Sequence, residues 1–118
     1  MAAATGYMAQ HEARLLFGTD TPSSPTYANP PGLKGFLEIR RLADAGKTPE
    51  QIFQAPTLSN ARALKLDNEI GTVQDGKRAN LLLVHADPRK TIQACQQIEK
   101  VFLRGQALDP SVLAASHP

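Results

Sequence analysis

The spacing of apolar and polar positions changes once along this chain, near residue 67. Over residues 32–45, apolar positions recur three or four apart, and Gly46 stands where a left-handed residue commonly ends a helix. Residues 48–51 read Thr-Pro-Glu-Gln, which combines a capping threonine, a proline at the first helical position and a glutamine three residues after the cap. The pattern therefore predicts a helix over about residues 32–45 and the start of a second one.

Pro56 is expected to interrupt this second helix, because proline lacks the N–H that a helix interior requires. A further turn or two over residues 57–66 would bring Leu58, Ala61 and Leu64 to one side. We predict a broken or re-entering helix here.

An apolar segment over residues 13–17 precedes the helices and predicts a short buried strand. It runs through Gly18 and Thr19 into Asp20. Residues 21–31 contain four prolines, so they predict an irregular loop of a length that is often functional or disordered.

After residue 67 the pattern is typical of strands and turns. Segments 69–73 and 79–84 flank an Asp-Gly turn signal and predict a hairpin, in which the apolar residues 81–84 would form a central strand covered on both faces. A second hairpin is expected to join residues 100–103 and 106–108 through Arg104 and Gly105. The order of elements predicts an α+β unit in which the first strand has no sequence neighbour.

Composition limits the class of protein. A chain of 118 residues with 42% apolar residues and no tryptophan forms one domain at most, with a thin aliphatic core. The net charge is +2, and the lysine and arginine residues do not cluster into a basic stripe, which argues against nucleic-acid binding. The longest apolar run is too short for a membrane span, and the single cysteine, Cys95, fits a cytoplasmic protein.

Candidate chemistry is sparse. His11, His85 and His117 are far apart, and no zinc-binding, nucleophile or phosphate-binding motif occurs. Cys95 is expected to be a packing residue and His85 to face solvent. Asp20 follows an apolar strand, where residues of parallel barrels face the active site, but an aspartate in Thr-Asp-Thr-Pro is more often simply a turn cap.

Seven longer motifs occur in one order along the chain. They are Leu-Leu-Phe-Gly-Thr-Asp (15–20), Leu-Ala-Asp-Ala-Gly (42–46), Thr-Pro-Glu-Gln (48–51), Ala-Arg-Ala-Leu (61–64), Glu-Ile-Gly-Thr-Val (69–73), Gly-Lys-Arg-Ala-Asn-Leu (76–81) and Val-Phe-Leu-Arg-Gly (101–105). This ordered set resembles the C-terminal part of the amidohydrolase superfamily over roughly residues 12–108. The similarity is greatest to the branch of imidazolonepropionase-like and related metal-dependent amidohydrolases.

The resemblance implies an α/β fold, in which a distorted eight-stranded β/α barrel carries a small β-sandwich built from both chain ends. Residues 1–66 would supply the last barrel strand and the outer helices that follow it. Residues 67–110 would supply the C-terminal strands of the sandwich, and residues 111–118 a tail. The missing N-terminal part of the barrel is then the expected partner.

The resemblance also assigns chemistry to Asp20. In this family a carboxylate at the end of the last strand binds or lies near a catalytic divalent metal, most often zinc. It takes a proton from the metal-bound water and passes it to the leaving nitrogen as a non-peptide C–N bond of a cyclic amide, amidine or related small molecule is hydrolysed. The family's other ligands lie upstream of these residues, so this chain alone is expected to be inactive and to hold no metal.

Other features leave alternatives open. Thr21, Tyr27 and Asn29 would border the substrate in a complete barrel, or they are ordinary loop residues. Pro56, Lys65 and Asn80 depart from residues that are frequent in the family, although none of them touches Asp20. A different class of function, a non-catalytic module that buries its exposed faces in a homo-oligomer, also fits the sequence.

Overall fold

The computed structural model describes residues 6–8, 16–19, 33–109 and 111 of the chain. Residues 6–8 are helical. The further elements are helix α1 (Leu33–Asp44), helix α2 (Pro49–Gln54), a π-helical turn (Ala55–Ser59), helix α3 (Asn60–Ala63), strand β1 (Leu81–Val84), a 3₁₀ helix (Ile92–Gln96), strand β2 (Ile98–Leu103) and strand β3 (Gln106–Leu108). Helices precede a small antiparallel sheet, so the predicted α+β order is confirmed for this part of the chain.

Helix α1 ends at a glycine in the left-handed region, as predicted. Gly46 has φ +86°, and its N–H donates to the Ala43 carbonyl at 2.9 Å. The Lys47 N–H donates to the Leu42 carbonyl at 3.1 Å. These two bonds form a Schellman motif, which satisfies carbonyls that a helix end would otherwise leave without donors.

Helix α2 begins with the predicted capping box. The Gln51 N–H donates to Thr48 Oγ1 at 3.3 Å, and the Thr48 N–H donates to Gln51 Oε1 at 3.1 Å. Pro49 occupies the first turn, where its missing N–H costs no hydrogen bond. Ile52 in the same helix is 1% exposed, so the cap starts a helix that delivers a large side chain to the core.

Pro56 does not interrupt the helix that begins at Pro49. The π-helical turn Ala55–Ser59 carries the chain past the proline and leads directly into α3. A wider turn accommodates proline, whose ring and missing N–H disfavour a regular α-helix. Thr57 Oγ1 donates to the Phe53 carbonyl at 2.6 Å within this segment. Of the two predicted alternatives, the break is therefore wrong and the re-entering helix is confirmed, because the α-helix resumes at Asn60 after a change of helix type.

Helix α3 ends in a second Schellman motif, which has lysine in the left-handed position. The Lys65 N–H donates to the Arg62 carbonyl (3.1 Å) and the Leu66 N–H to the Ala61 carbonyl (2.8 Å). Lys65 has φ +59°, a conformation that glycine adopts at lower cost. Leu64 at the C-cap is 68% exposed, whereas Ala61 is 2% exposed.

Replacing Lys65 by glycine should raise the free energy of unfolding by about 1 kcal/mol, because glycine adopts positive φ without a Cβ penalty. Urea unfolding of the complete protein measures the change. Leu64→Gly is the control: Leu64 has φ −88°, so glycine there gains nothing and should cost up to about 1 kcal/mol. A less stable Lys65→Gly protein would contradict this description of the helix end.

The first predicted hairpin does not form. Residues 69–73 make turns and bends, and the strand that follows, β1, covers only Leu81–Val84. Gly76 does have φ +82°, so the Asp-Gly turn signal is correct while the strand before it is wrong.

A lysine side chain crosses this loop in place of strand pairing. Lys77 Nζ donates to the Asp67 carbonyl at 2.5 Å and to Thr72 Oγ1 at 2.6 Å. The Lys77 ammonium group thus provides the Asp67 carbonyl with a hydrogen-bond donor, which a neighbouring strand would provide in a sheet. Bonds of this kind leave no periodic pattern in a sequence, so the Asp-Gly turn signal predicted a preceding strand that does not form.

The sheet has the order β1-β2-β3, with both neighbouring pairs antiparallel. The β2–β3 hairpin is confirmed, and Arg104 and Gly105 have the positive φ values, 52° and 81°, of a tight hairpin turn. β1 lies at the edge of the described sheet, and its residues Leu82 and Leu83 are 60% and 44% exposed. Among the described strands, the prediction of a central, doubly covered β1 is therefore wrong.

The core lies where α1, α2, the π-helical turn and the 3₁₀ helix meet. Its buried apolar residues within the described ranges are Ile39, Ile52, Ala55, Ala61 and Ala94. Three of these five are alanines, so the predicted thin core is confirmed. No helix in these ranges combines the length and apolar character that crossing a bilayer requires.

Candidate functional site

Asp20, the candidate catalytic and metal-binding residue, lies outside the described residues. So do Thr21, Tyr27 and Asn29, and also His11 and His117. The structure does describe residues 16–19, the segment that leads directly into Asp20.

The segment before Asp20 does not pair as a strand where it is described. Leu16 and Phe17 have no strand assignment, so the predicted strand over residues 13–17 is wrong at those two positions, and residues 13–15 lie outside the described ranges. A strand assignment requires a paired neighbouring strand, and the described strands pair only with one another. Both backbone polar groups of Phe17 bond instead to one side chain.

That side chain is Asn60. Its Oδ1 accepts from the Phe17 N–H at 3.0 Å, and its Nδ2 donates to the Phe17 carbonyl at 2.8 Å. We call this pair of bonds the Asn60 clamp. It joins residues 43 positions apart in the sequence, and Asn60 and Phe17 are both half-buried. The clamp is thus a long-range contact that ties the segment before Asp20 to the helical part of the fold.

The identity of residue 60 is itself unusual for a helix, and the spacing of apolar residues does not reveal this. Asparagine is a poor residue for a helix interior, since its side chain competes for backbone hydrogen bonds. Asn60 nevertheless lies at the junction of the π-helical turn and α3. A residue placed against its propensity indicates a specific bond elsewhere, although the sequence does not reveal the partner.

His85 and Cys95 have the modest roles that the sequence predicts. His85 Nδ1 lies 3.8 Å from Glu99 Oε2, and both side chains are exposed. Cys95 Sγ lies 2.8 Å from the Ile92 carbonyl oxygen, and burial raises the pKa of the Cys95 thiol. A raised pKa keeps the thiol protonated and a poor nucleophile. Neither residue forms a site.

Charged side chains near the helices and turns are satisfied locally. Arg41 pairs with Glu38 one turn away on α1. Asp87 accepts from the Arg89 side chain at 3.0 Å and from the Arg89 N–H at 2.9 Å, and these hydrogen bonds hold the pKa of the Asp87 carboxyl below its usual range. These pairs stabilise their own helix and turn and create no anion-binding surface.

The described residues do not fit a catalytic metal. Within residues 6–8, 16–19, 33–109 and 111, no three histidine, cysteine, aspartate or glutamate side chains come together in a group that could hold an ion. A catalytic zinc takes about three protein ligands and an open position. Asp20 alone, with its one carboxylate, does not supply that set.

Comparison with known families identifies the class of protein. The model of the amidohydrolase family matches residues 1–108. The match covers most of the chain, so the chain belongs to the amidohydrolase family, and the resemblance seen in the ordered motifs is confirmed.

Curated relatives of this chain are much longer than the chain itself. Human guanine deaminase is 27% identical over 82 residues, which are 64% of this chain and 18% of that protein. Adenine deaminase 1 of Latilactobacillus sakei subsp. sakei (strain 23K) is 29% identical over 103 residues, which are 86% of this chain and 15% of that protein. The chain therefore spans less than a fifth of these relatives.

Solved structures share the fold. Phenylurea hydrolase B superposes with a TM-score of 0.81 at 25% identity, covering 98% of this chain and 29% of that chain. Molinate hydrolase gives a TM-score of 0.80 at 22% identity, covering 98% of this chain and 28% of that chain. The described fold is thus similar to one part of much longer amidohydrolase chains.

Proposed function

We propose that these residues are the C-terminal part of a hydrolase that uses water to cleave a non-peptide C–N bond in a small molecule. The observation that carries the proposal is the family match over residues 1–108. The relatives named as deaminases of guanine and adenine, and the neighbour named as a phenylurea hydrolase, support C–N bonds as the target.

Asp20 is the proposed catalytic residue. It ends the motif at residues 15–20, at the position where the resemblance expects the carboxylate that closes the last barrel strand. A carboxylate within hydrogen-bond reach of the attacking water can accept its proton and return that proton to the leaving nitrogen. Transfer to the nitrogen matters because a neutral amine leaves far more readily than its anion.

A divalent metal, zinc by family resemblance, would activate water and polarise the C–N carbon in the complete enzyme. The described residues supply no metal site. We therefore assign Asp20 as one ligand or near neighbour of the metal and place the other ligands in polypeptide outside these residues.

The exposed apolar residues support a larger assembly. In the part of the chain that the structure describes, the large apolar side chains with the most exposure after residue 60 are Leu64, Val73, Leu82, Leu83 and Leu103. An edge strand with exposed leucines is an aggregation hazard when nothing covers it. We propose that β1 packs against strands from the N-terminal end of the same polypeptide.

This assembly corresponds to a domain division. Residues 1–66 would complete a β/α barrel, residues 67–110 would complete a composite β-sandwich, and residues 111–118 would form a tail. The substrate is a small molecule held in the barrel. A cytoplasmic location is part of the same proposal and rests on the single, half-buried Cys95.

The proposal is tested on the complete polypeptide that contains these residues. Purified protein is assayed for ammonia release from guanine and from adenine and for aniline release from a phenylurea, before and after treatment with a chelator. We expect hydrolysis of at least one C–N substrate, its loss on metal removal and its return when Zn²⁺ is added. Metal-loaded protein that cleaves none of the C–N substrates would contradict the proposal.

A further inference from the structure

The Asn60 clamp suggests a role for a residue that the proposed chemistry does not use. We propose that Asn60 is the positioning residue that fixes the backbone leading into Asp20. The inference rests on the proposed function, since it gives Asp20 its importance. Asn60 itself touches neither substrate nor metal in this proposal and acts through the backbone of Phe17.

The geometry of the clamp is that of a strand partner. A primary amide presents one acceptor and one donor side by side, as a neighbouring strand does through its carbonyl and N–H groups. Asn60 Oδ1 and Nδ2 lie 3.0 and 2.8 Å from the Phe17 nitrogen and carbonyl oxygen. Because both backbone groups of one residue are held, the peptide units on either side of Phe17 lose their freedom to rotate.

Side-chain burial contributes little to holding this segment, which makes the clamp more important. Leu16 is 62% exposed, and Phe17 is only half-buried. Asp20 follows Phe17 by three residues in the sequence. Rotation of the backbone at residue 17 would therefore displace the Asp20 carboxylate.

Asn60 is well placed to act as an anchor. Its N–H donates to the Ala55 carbonyl within the π-helical turn, and its carbonyl accepts from the Leu64 N–H at 3.0 Å. Ala55 and the adjacent Ala61 are 6% and 2% exposed. The clamp is thus rooted in the buried part of the helix, so that the rigid core sets the position of the segment.

Three variants of the complete protein separate this role from general stability. Asn60→Ala removes both hydrogen bonds. Asn60→Asp keeps the acceptor for the Phe17 N–H and loses the donor to its carbonyl. Asn80→Ala is the matched control, because Asn80 Oδ1 likewise accepts from a backbone N–H, that of Arg104 at 2.9 Å, in the hairpin turn and not at the segment before Asp20.

Two measurements are made on each variant. Hydrogen exchange of the Phe17 amide should become about tenfold faster in Asn60→Ala and change less in Asn60→Asp, because the bond from the Phe17 N–H to Asn60 Oδ1 protects it. The kcat of the complete enzyme should fall by about 10²-fold in Asn60→Ala with little change in KM, because a misplaced catalytic group slows the reaction and not the binding. Asn80→Ala should leave both quantities near their original values.

The outcomes distinguish failure of the inference from failure of the proposed function. Unchanged exchange at Phe17 in Asn60→Ala overturns the inference, whatever the enzyme does. So does a kcat equal to that of Asn80→Ala in an enzyme that Asp20→Asn inactivates. If Asp20→Asn leaves the activity intact, the proposed role of Asp20 is wrong, and Phe17 exchange alone then decides whether the clamp exists. If Asn60→Ala does not fold, Asn60→Asp provides both readouts.

Discussion

Replacing Asp20 by asparagine should reduce the kcat of the complete enzyme by about 10²- to 10⁴-fold, the range that a positioned general acid–base group contributes. Asparagine has nearly the same shape as aspartate, so packing around the position changes little. It carries no charge and cannot accept and return a proton. The loss should therefore fall on the chemical step, while the protein remains folded with unchanged circular dichroism.

Asp75→Asn is the control for this change. Asp75 is exposed in the turn before Gly76, in the loop between α3 and β1. The same removal of a carboxylate there should leave kcat unaltered. Equal activity of the Asp20→Asn and Asp75→Asn enzymes would remove Asp20 from the catalytic role.

Replacing Gly71 by alanine should cost about 3 kcal/mol of stability. Gly71 has φ +97°, and a Cβ at this position would lie 2.7 Å from the Ala61 Cβ and 3.2 Å from the Leu58 Cα. Left-handed backbone alone costs an alanine about 1–2 kcal/mol, and overpacking a filled site adds about 1–3 kcal/mol. Ala61 is buried and Leu58 Cα is backbone, so neither can move aside cheaply.

Gly76→Ala isolates the part of this loss that comes from packing. Gly76 also has positive φ, +82°, but a Cβ there would meet no atom within 4 Å. It should cost only the conformational part, about 1–2 kcal/mol. Urea unfolding of both variants gives the difference. Equal losses would mean that the loop after α3 does not pack tightly against the helix at Gly71.

Features set by neighbouring residues could be predicted from the sequence. The capping box of Thr48 and Gln51, the left-handed Gly46 and the tight turn at Arg104 are each determined by residue types at adjacent or nearby positions. Such features form wherever the right residues occur in the right order. The structure confirms each of them.

Features set by distant contacts could not be predicted. The Asp-Gly turn signal predicted a strand over residues 69–73, but Lys77 bonds to a carbonyl and a hydroxyl of that loop, which forms turns and bends. The strand predicted before Asp20 has no neighbouring strand among the described residues, and Asn60 bonds to both backbone polar groups of Phe17. In both cases a side chain bonds to distant backbone, and apolar periodicity does not record such bonds.

The candidate site could also be predicted only in part from the sequence. Motif order predicts the family, and the family model confirms it over residues 1–108. The role of Asp20 is a proposal from that resemblance. Asn60 was missed, because its significance lies in a bond across 43 residues.

The central claim is that these residues form the C-terminal part of a longer amidohydrolase, and the mass of the native polypeptide tests it most directly. An antibody raised against this chain is used to detect the protein in an extract of its source cells after denaturing electrophoresis. We predict a single band several times heavier than the 12.7 kDa of these residues. A band at 12.7 kDa, with no heavier species, would contradict the claim and favour the oligomeric interaction module instead.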